Sequence, residues 1–226
     1  MSLVVYDDFK SACENGDLET VMKLFDKFNL EFESDMLLMR NRVSQKGYLN
    51  ILEYFYRHGV DLKTFYEQHN PLTLAAGQGW VDITDFLLEK GLNINLQNFD
   101  GLTVLMVASG YGNIDIIDRL FATGQCNANI ENIFGDTALF IATERGRPET
   151  VDRLVVYGAN YYLINHNGQN LLHYTINSLH IDTLQKVLSL GVDVNHQNNR
   201  GWTPLMCAID ANEKKMSMGN SFRFDQ

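Results

Sequence analysis

Residues 100–124 read "DGLTVLMVASGYGNIDIIDRLFATG". The first half is short and apolar, and it carries small residues at Ala108 and Ser109. That pattern predicts a short helix packed closely on both sides. A glycine-containing break follows at Gly110-Tyr111-Gly112. Beyond it, Ile116, Ile117, Leu120 and Phe121 fall at i, i+1, i+4 and i+5, which places them on one face of a second helix. Asp115 stands in the first turn of that helix, where a carboxylate complements the positive helix end. Gly124 suits the left-handed position that ends it.

The same unit recurs in both directions. Leucine returns at Leu72, Leu105, Leu139, Leu172 and Leu205, at intervals of 33, 34, 33 and 33. Two glycine series keep the step: Gly101, Gly135, Gly168 and Gly201, and Gly91, Gly124, Gly158 and Gly191. Three independent markers in one period identify a repeat architecture. "NPLTLAAG", "TALFIATE" and "TPLMCAID" repeat the first helix, and Thr183, Leu184, Val187 and Leu188 repeat the stripe of the second. Pro148 occupies a first helical turn, where its missing N–H costs nothing. The connecting "LNINLQNFDG" is polar and Asn-rich with a terminal glycine, as a projecting turn or hairpin would be. The single 34 comes from "GQCNANIENIFG", one residue longer than its counterpart, with Cys126 read as the extra residue.

With these residues in view, the chain resembles the ankyrin repeat family, whose Gly-x-Thr-Pro-Leu-His and Ala-Ala signature is matched most closely by "DGLTVLMVASGYG" and "RGWTPLMCA". The resemblance covers residues 66–211 well and 7–65 more loosely. Phe9 takes the leucine position of the first unit, with Gly16 at its break. The second unit fits through Gly47 and Gly59, but Arg40 falls where the leucine belongs, so its first helix is the poorest match. The family histidine survives at His173 alone. The fold implied is all-α: an ankyrin-repeat solenoid of about seven helix-turn-helix units with projecting β-hairpin turns. It forms a single domain over 1–226, with repeats at 5–33, 34–65, 66–98, 99–132, 133–165, 166–198 and 199–226. The last unit is incomplete, because "MSMGNSFRFDQ" lacks an amphipathic second helix. Either the array continues beyond it or the tail forms an unusual cap.

Composition narrows the function classes. A formal net charge of -10 argues against nucleic acid or an anionic membrane surface as partner. No apolar run has the length of a spanning helix, and the N-terminus lacks a signal-peptide pattern. Three cysteines in a chain of this size point to a reducing, intracellular (cytoplasmic) setting, with nucleus and host cell left open.

Candidate chemistry gives way to structural readings. "GQGW" precedes a helix, but no strand leads into it and no Gly-Lys-Ser/Thr follows, so it is not a phosphate loop. The acidic series Glu19, Asp82, Asp115, Glu149 and Asp182, with Asn50 in the second unit, marks first turns of second helices. Equivalent carboxylates on helices stacked roughly 8–10 Å apart are too distant to share one ion. Cys13, Cys126 and Cys207 lie too far apart in a linear stack for a disulfide and are expected as free thiols. The six histidines make no metal-ligand spacing; His166 and His196 fall in turns and are read as solvated. No catalytic, cofactor-binding or metal-binding residues are expected.

The informative residues are those the repeat does not require. At the tips stand Tyr66, Phe99, Asp100, Ile133, Phe134, His166 and Arg200, with Trp202 just beyond the last glycine; at the ends of first helices stand Tyr111 and Arg145. The resemblance implies that these positions line a concave face and contact a protein partner. Exposed aromatics there mark an interface, unless they fold back onto neighbouring turns. The function implied is a monomeric, non-catalytic scaffold or adaptor. The alternatives are a recruiting arm of a larger enzyme or signalling protein, and a secreted microbial effector that binds host proteins.

Overall fold

The structure, a computed structural model, describes residues 3–25, 33–178 and 180–210. Its helices come in pairs. These are α1 (Leu3–Asn15) with α2 (Leu18–Phe25), α3 (Glu33–Lys46) with α4 (Leu49–Arg57), and α5 (Pro71–Gln78) with α6 (Val81–Glu89). They continue as α7 (Val104–Tyr111) with α8 (Ile114–Ala122), α9 (Ala138–Glu144) with α10 (Pro148–Val156), and α11 (Leu171–Ser178) with α12 (Ile181–Ser189). Residues 204–210 are helical as well.

The local signals act as read. Asn70 caps α5: its side chain accepts from the Thr73 N–H at 2.9 Å, while the Thr73 hydroxyl accepts from the Asn70 N–H at 3.1 Å. Pro71 and Pro148 open their helices, and Gly79 ends α5 in the left-handed conformation at φ 82°. Asp82, Asp115, Glu149 and Asp182 all stand in first turns of second helices.

The chain divides into two compact units, Met1–Ala108 with Asp115–Cys126, and Ser109–Ile114 with Asn127–Gln226. In the first, α1 packs on α3 and α3 on α5. Phe9, Phe25 and Phe55 form a ring cluster with centroids 5.8–6.4 Å apart, and Ala75 and Ala76 are fully buried. In the second, α9 packs on α11 and α10 on α12. Leu139, Ala142 and Thr143 are fully buried there. Small residues sit in first helices because helices pack against both sides of them.

Four expectations change. First, the turns carry no named strand among the described residues; the one isolated bridge pairs Tyr66 with His69. Asparagine side chains do the closing that a ladder would have done. Second, Arg40 does not spoil the second unit. It lies fully buried within a 14-residue helix, because its long side chain carries the charge past the core. The guanidinium donates to the carbonyls of Asp61 and Thr64 and sits 3.3 Å from the Asp61 carboxylate. Third, Leu205 continues the leucine series but is 66% exposed, unlike Leu72, Leu105, Leu139 and Leu172. Fourth, the inserted residue is Gln125. Asn93, Asn127 and Asn160 each accept from the N–H two residues on, which gives Cys126 the repeat position of Leu92 and Ala159 and leaves Gln125 over. The reading of the tail at 211–226 falls outside the described residues.

Candidate functional site

Four projecting turns share one construction. The Oδ1 of Asn98, Asn132, Asn165 and Asn198 accepts from the N–H groups two and four residues on, at 2.8–3.1 Å. Each asparagine N–H donates to the carbonyl four residues on, and the glycine N–H returns to the asparagine carbonyl. Gly101, Gly135, Gly168 and Gly201 close the turns at φ 70–79°. This is a tight turn followed by a left-handed glycine, and it pushes the two residues before the glycine outward.

In the first unit, Phe99 and Asp100 occupy such a tip, and Phe99 is 81% exposed. The Asn98 amide ties the tip to the Gln68 carbonyl at 3.2 Å. Tyr66 is half-buried at a tighter two-residue turn, in which Glu67 takes the left-handed conformation at φ 57°.

In the second unit, Ile133 and Phe134 share a tip and are 53% and 57% exposed. They do not fold back. The His166 N–H donates to the Phe134 carbonyl at 3.0 Å, and its Nδ1 lies 3.2 Å from the Ile133 carbonyl. The next tip is stitched on in turn. The Asn199 N–H donates to the Asn167 carbonyl at 3.0 Å, and the Asn199 amide to the His166 carbonyl at 2.9 Å. His166 and Arg200 are exposed, whereas Trp202 is half-buried. Tyr111 is exposed at the end of α7, and exposed Arg145 caps α9. Arg147 Nε donates to the Gly110 carbonyl at 3.3 Å, so Arg145 and Arg147 lie beside the end of α7.

His166, His196 and His173 are engaged through their ring nitrogens. His166 holds the tip described above, with its Nε2 3.8 Å from Glu131. His196 Nε2 lies 2.8 Å from the Gly168 carbonyl. His173 is fully buried between Asn170 Oδ1 at 2.7 Å and the Trp202 carbonyl at 3.0 Å. Burial holds its pKa below the ordinary range against the favourable Trp202 contact. The three cysteines are free thiols. Burial pushes Cys13 and Cys126 up to about 12 and raises Cys207, so none is activated as a nucleophile. No group of three or more His, Cys, Asp or Glu side chains suited to a metal occurs among the described residues.

Sequence reasoning missed the base of the Ile133–Phe134 tip. Asp136 is buried, and one of its carboxylate oxygens accepts from the Tyr174 hydroxyl at 2.7 Å and from the Asn165 amide at 3.0 Å. The signal was present as a break in the repeat register. Asp136 stands where the other units have Leu102, Gln169 and Trp202, and Tyr174 stands where they have Leu74, Val107, Ile141 and Cys207.

Comparison with known proteins follows the same period. The family model described as ankyrin repeats (3 copies) matches residues 9–98, 40–132, 105–198 and 139–217. A fowlpox virus protein named "Putative ankyrin repeat protein FPV031" is 32% identical over 153 residues, 65% of this chain and 45% of that protein. A rice protein named "Probable E3 ubiquitin-protein ligase XBOS32" is 44% identical over 57 residues, 25% of this chain and 12% of its own length. The Arabidopsis thaliana E3 ubiquitin-protein ligase XBAT32 is 43% identical over 49 residues, 22% of this chain and 10% of its own. The chain thus spans less than half the length of each of these relatives.

Proposed function

This chain belongs to the ankyrin repeat family, whose repeats are protein-interaction modules, and from that premise we propose that its projecting tips capture a protein partner. One observation carries the reading. Ile133 and Phe134 stay more than half exposed on a tip that is bonded to its neighbour through their own carbonyls. An apolar pair that gains nothing from folding, held outward on a rigid turn, suits insertion into a partner's pockets. A pre-organised surface also limits the ordering cost of binding. His166, Arg200, Tyr111 and Arg145 supply polar and aromatic contacts around it. Phe99 and Asp100, with Tyr66, supply a second contact region on the first unit. Half-buried Trp202 contributes at the margin.

We infer a monomeric, non-catalytic scaffold or adaptor in the cytoplasm, with about seven repeats over 1–226, the last incomplete. The raised thiol pKa values argue against a cysteine nucleophile. The net charge of -10 disfavours nucleic acid. No helix of the described residues is long and apolar enough to cross a membrane. A second reading, a substrate-recruiting arm of a larger enzyme, is favoured by the similarity to short stretches of E3 ubiquitin-protein ligases.

The test compares three proteins against whichever partner the wild type captures by affinity selection. Ile133→Ser/Phe134→Ser should leave thermal stability within about 1 kcal/mol, as expected for surface positions. It should weaken binding by about 2 kcal/mol or more. Glu149→Lys, exposed in the first turn of α10, should bind like wild type. If the tip variant binds normally while Glu149→Lys loses the partner, the interface lies elsewhere.

A further inference from the structure

Asp136, Asn165 and the half-buried Tyr174 form a polar knot: Asn165 is the turn-closing asparagine of its own unit, whereas the repeat demands neither Asp136 nor Tyr174. Tyr174, on α11, donates to Asp136 Oδ1, and the Asn165 amide reaches both that oxygen and the Tyr174 oxygen at 3.0 Å. The Tyr174 ring is fixed in turn by an edge-on contact with Phe140 of α9, centroids 5.2 Å apart. Asp136 also closes the tip through its backbone. Its carbonyl accepts from the Asn132 N–H and its N–H donates to Asn132 Oδ1, both at 2.9 Å.

Stability alone does not account for such a group. Asp136 is 6% exposed and Asn165 4% exposed, and burying a carboxylate among polar partners roughly breaks even against an apolar filling. What a fully satisfied buried network supplies is a fixed arrangement. Its location is specific too: Ile133–Phe134 is the tip in which both outward residues are apolar. Water drives such a pair to collapse onto neighbouring turns, and something must oppose this if the pair is to stay exposed. Gly135 just above the knot leaves no slack, since a Cβ there would come within 2.7 Å of the His166 nitrogen.

We propose that the Asp136–Asn165–Tyr174 knot is a positioning device that holds the Ile133–Phe134 tip projecting for a partner, so that Tyr174 governs binding without touching the partner. Its consequence for binding rests on the tip reading above; its effect on the tip does not. Two variants separate the roles. Tyr174→Phe removes the hydroxyl and keeps the ring against Phe140. Asp136→Leu installs the residue found at Leu102 and removes the carboxylate. Asp136→Asn keeps an acceptor for the tyrosine and serves as the conservative control.

The primary readout is amide hydrogen exchange on the free protein, at Phe134, Gly135 and Asp136. Tyr174→Phe and Asp136→Leu should exchange there about tenfold faster than wild type, with α9 and α11 within about twofold. Asp136→Asn should stay near wild type. Unchanged tip exchange, or acceleration spread evenly over α9 and α11, overturns the proposal, because a merely structural group loosens its helices with its turn. If the exchange result holds while Ile133→Ser/Phe134→Ser binds normally, the knot stands and the tip is not the contact. If both hold, Tyr174→Phe should weaken partner binding about tenfold.

Discussion

The tip at Asn98–Gly101 and the tip at Asn132–Gly135 are built by the same asparagine and the same left-handed glycine, yet they are held differently. The first carries Phe99 at 81% exposure, and its Asn98 amide donates to the Gln68 carbonyl. The second carries Ile133 and Phe134 at 53% and 57% and is gripped by His166 from the next repeat and by Asp136 from below. Turn chemistry thus sets the shape of a tip, whereas bonds from other repeats set how firmly it stands. A residue list read from the turns alone gives the two tips equal weight; the bonding does not.

That contrast presumes equally sound cores beneath both tips. Leu105 and Leu139 occupy the same position below them and are 2% and 0% exposed. Leu105→Ala and Leu139→Ala should each cost about 2–5 kcal/mol in urea unfolding. A marked inequality would trace the difference between tips to their foundations instead of their bonds.

Removing the shared part comes next in size. Asn98→Ala and Asn132→Ala each leave two turn N–H groups without their acceptor, at about 1–3 kcal/mol apiece by denaturant melting. Asn132 should show the larger loss, since it is buried and Asp136 depends on the turn it closes. Equal losses would mean that the cross-repeat bonds add nothing.

Acid should address the two units separately. His173, in the second unit, titrates below its ordinary value of 6.5 because it is buried. A depressed imidazole binds its proton less readily folded than unfolded, so its stability is complete above about 6.5 and is lost as pH falls further. In the first unit, burial alone would raise Asp61. The Thr64 hydroxyl, the Lys63 and Thr64 N–H groups and Arg40 together pull it down from 3.8 to about 2. Its stability is present above about 4 and is lost as pH falls toward about 2. Thermal melts across pH 7 to 2 should therefore show second-unit probes responding first. His173→Gln should flatten the earlier loss and Asp61→Asn the later one.

The smallest effect concerns the odd turn of the first unit. Glu67 is a non-glycine residue at positive φ, and Glu67→Gly should raise the melting free energy by about 1 kcal/mol or less. A clear loss would show that the glutamate side chain contributes more than its backbone strain costs.

The period carried most of this fold. Glycines, cap residues and small-residue helices act within a few positions of themselves, so a linear reading finds them. The exposure of Phe99, Ile133 and Phe134 was legible for the same reason, since nothing in a tight turn needs them; nor does a helix end need Tyr111. What escaped depends on long reach. Arg40 bonds carbonyls 21 and 24 residues away, and Tyr174 bonds a carboxylate 38 residues away. Neither pairing leaves a local trace beyond an odd residue in an otherwise regular column. Tyr66 and Trp202, expected among the partner contacts, are each half-buried, and the backbone of each takes part in closing a turn.

The extra residue at Gln125 has a wider consequence. It is exposed, and its carbonyl receives the Asn95 amide at 2.8 Å, so the added length is absorbed before the next asparagine restarts its own loop. Each loop is closed by its own side chain and does not inherit its register from the one before. The segment after a second helix is therefore a seam where length can be added without disturbing the spacing of anything downstream. Short tags or labels placed between Gly124 and Cys126 should travel with the protein as silent passengers.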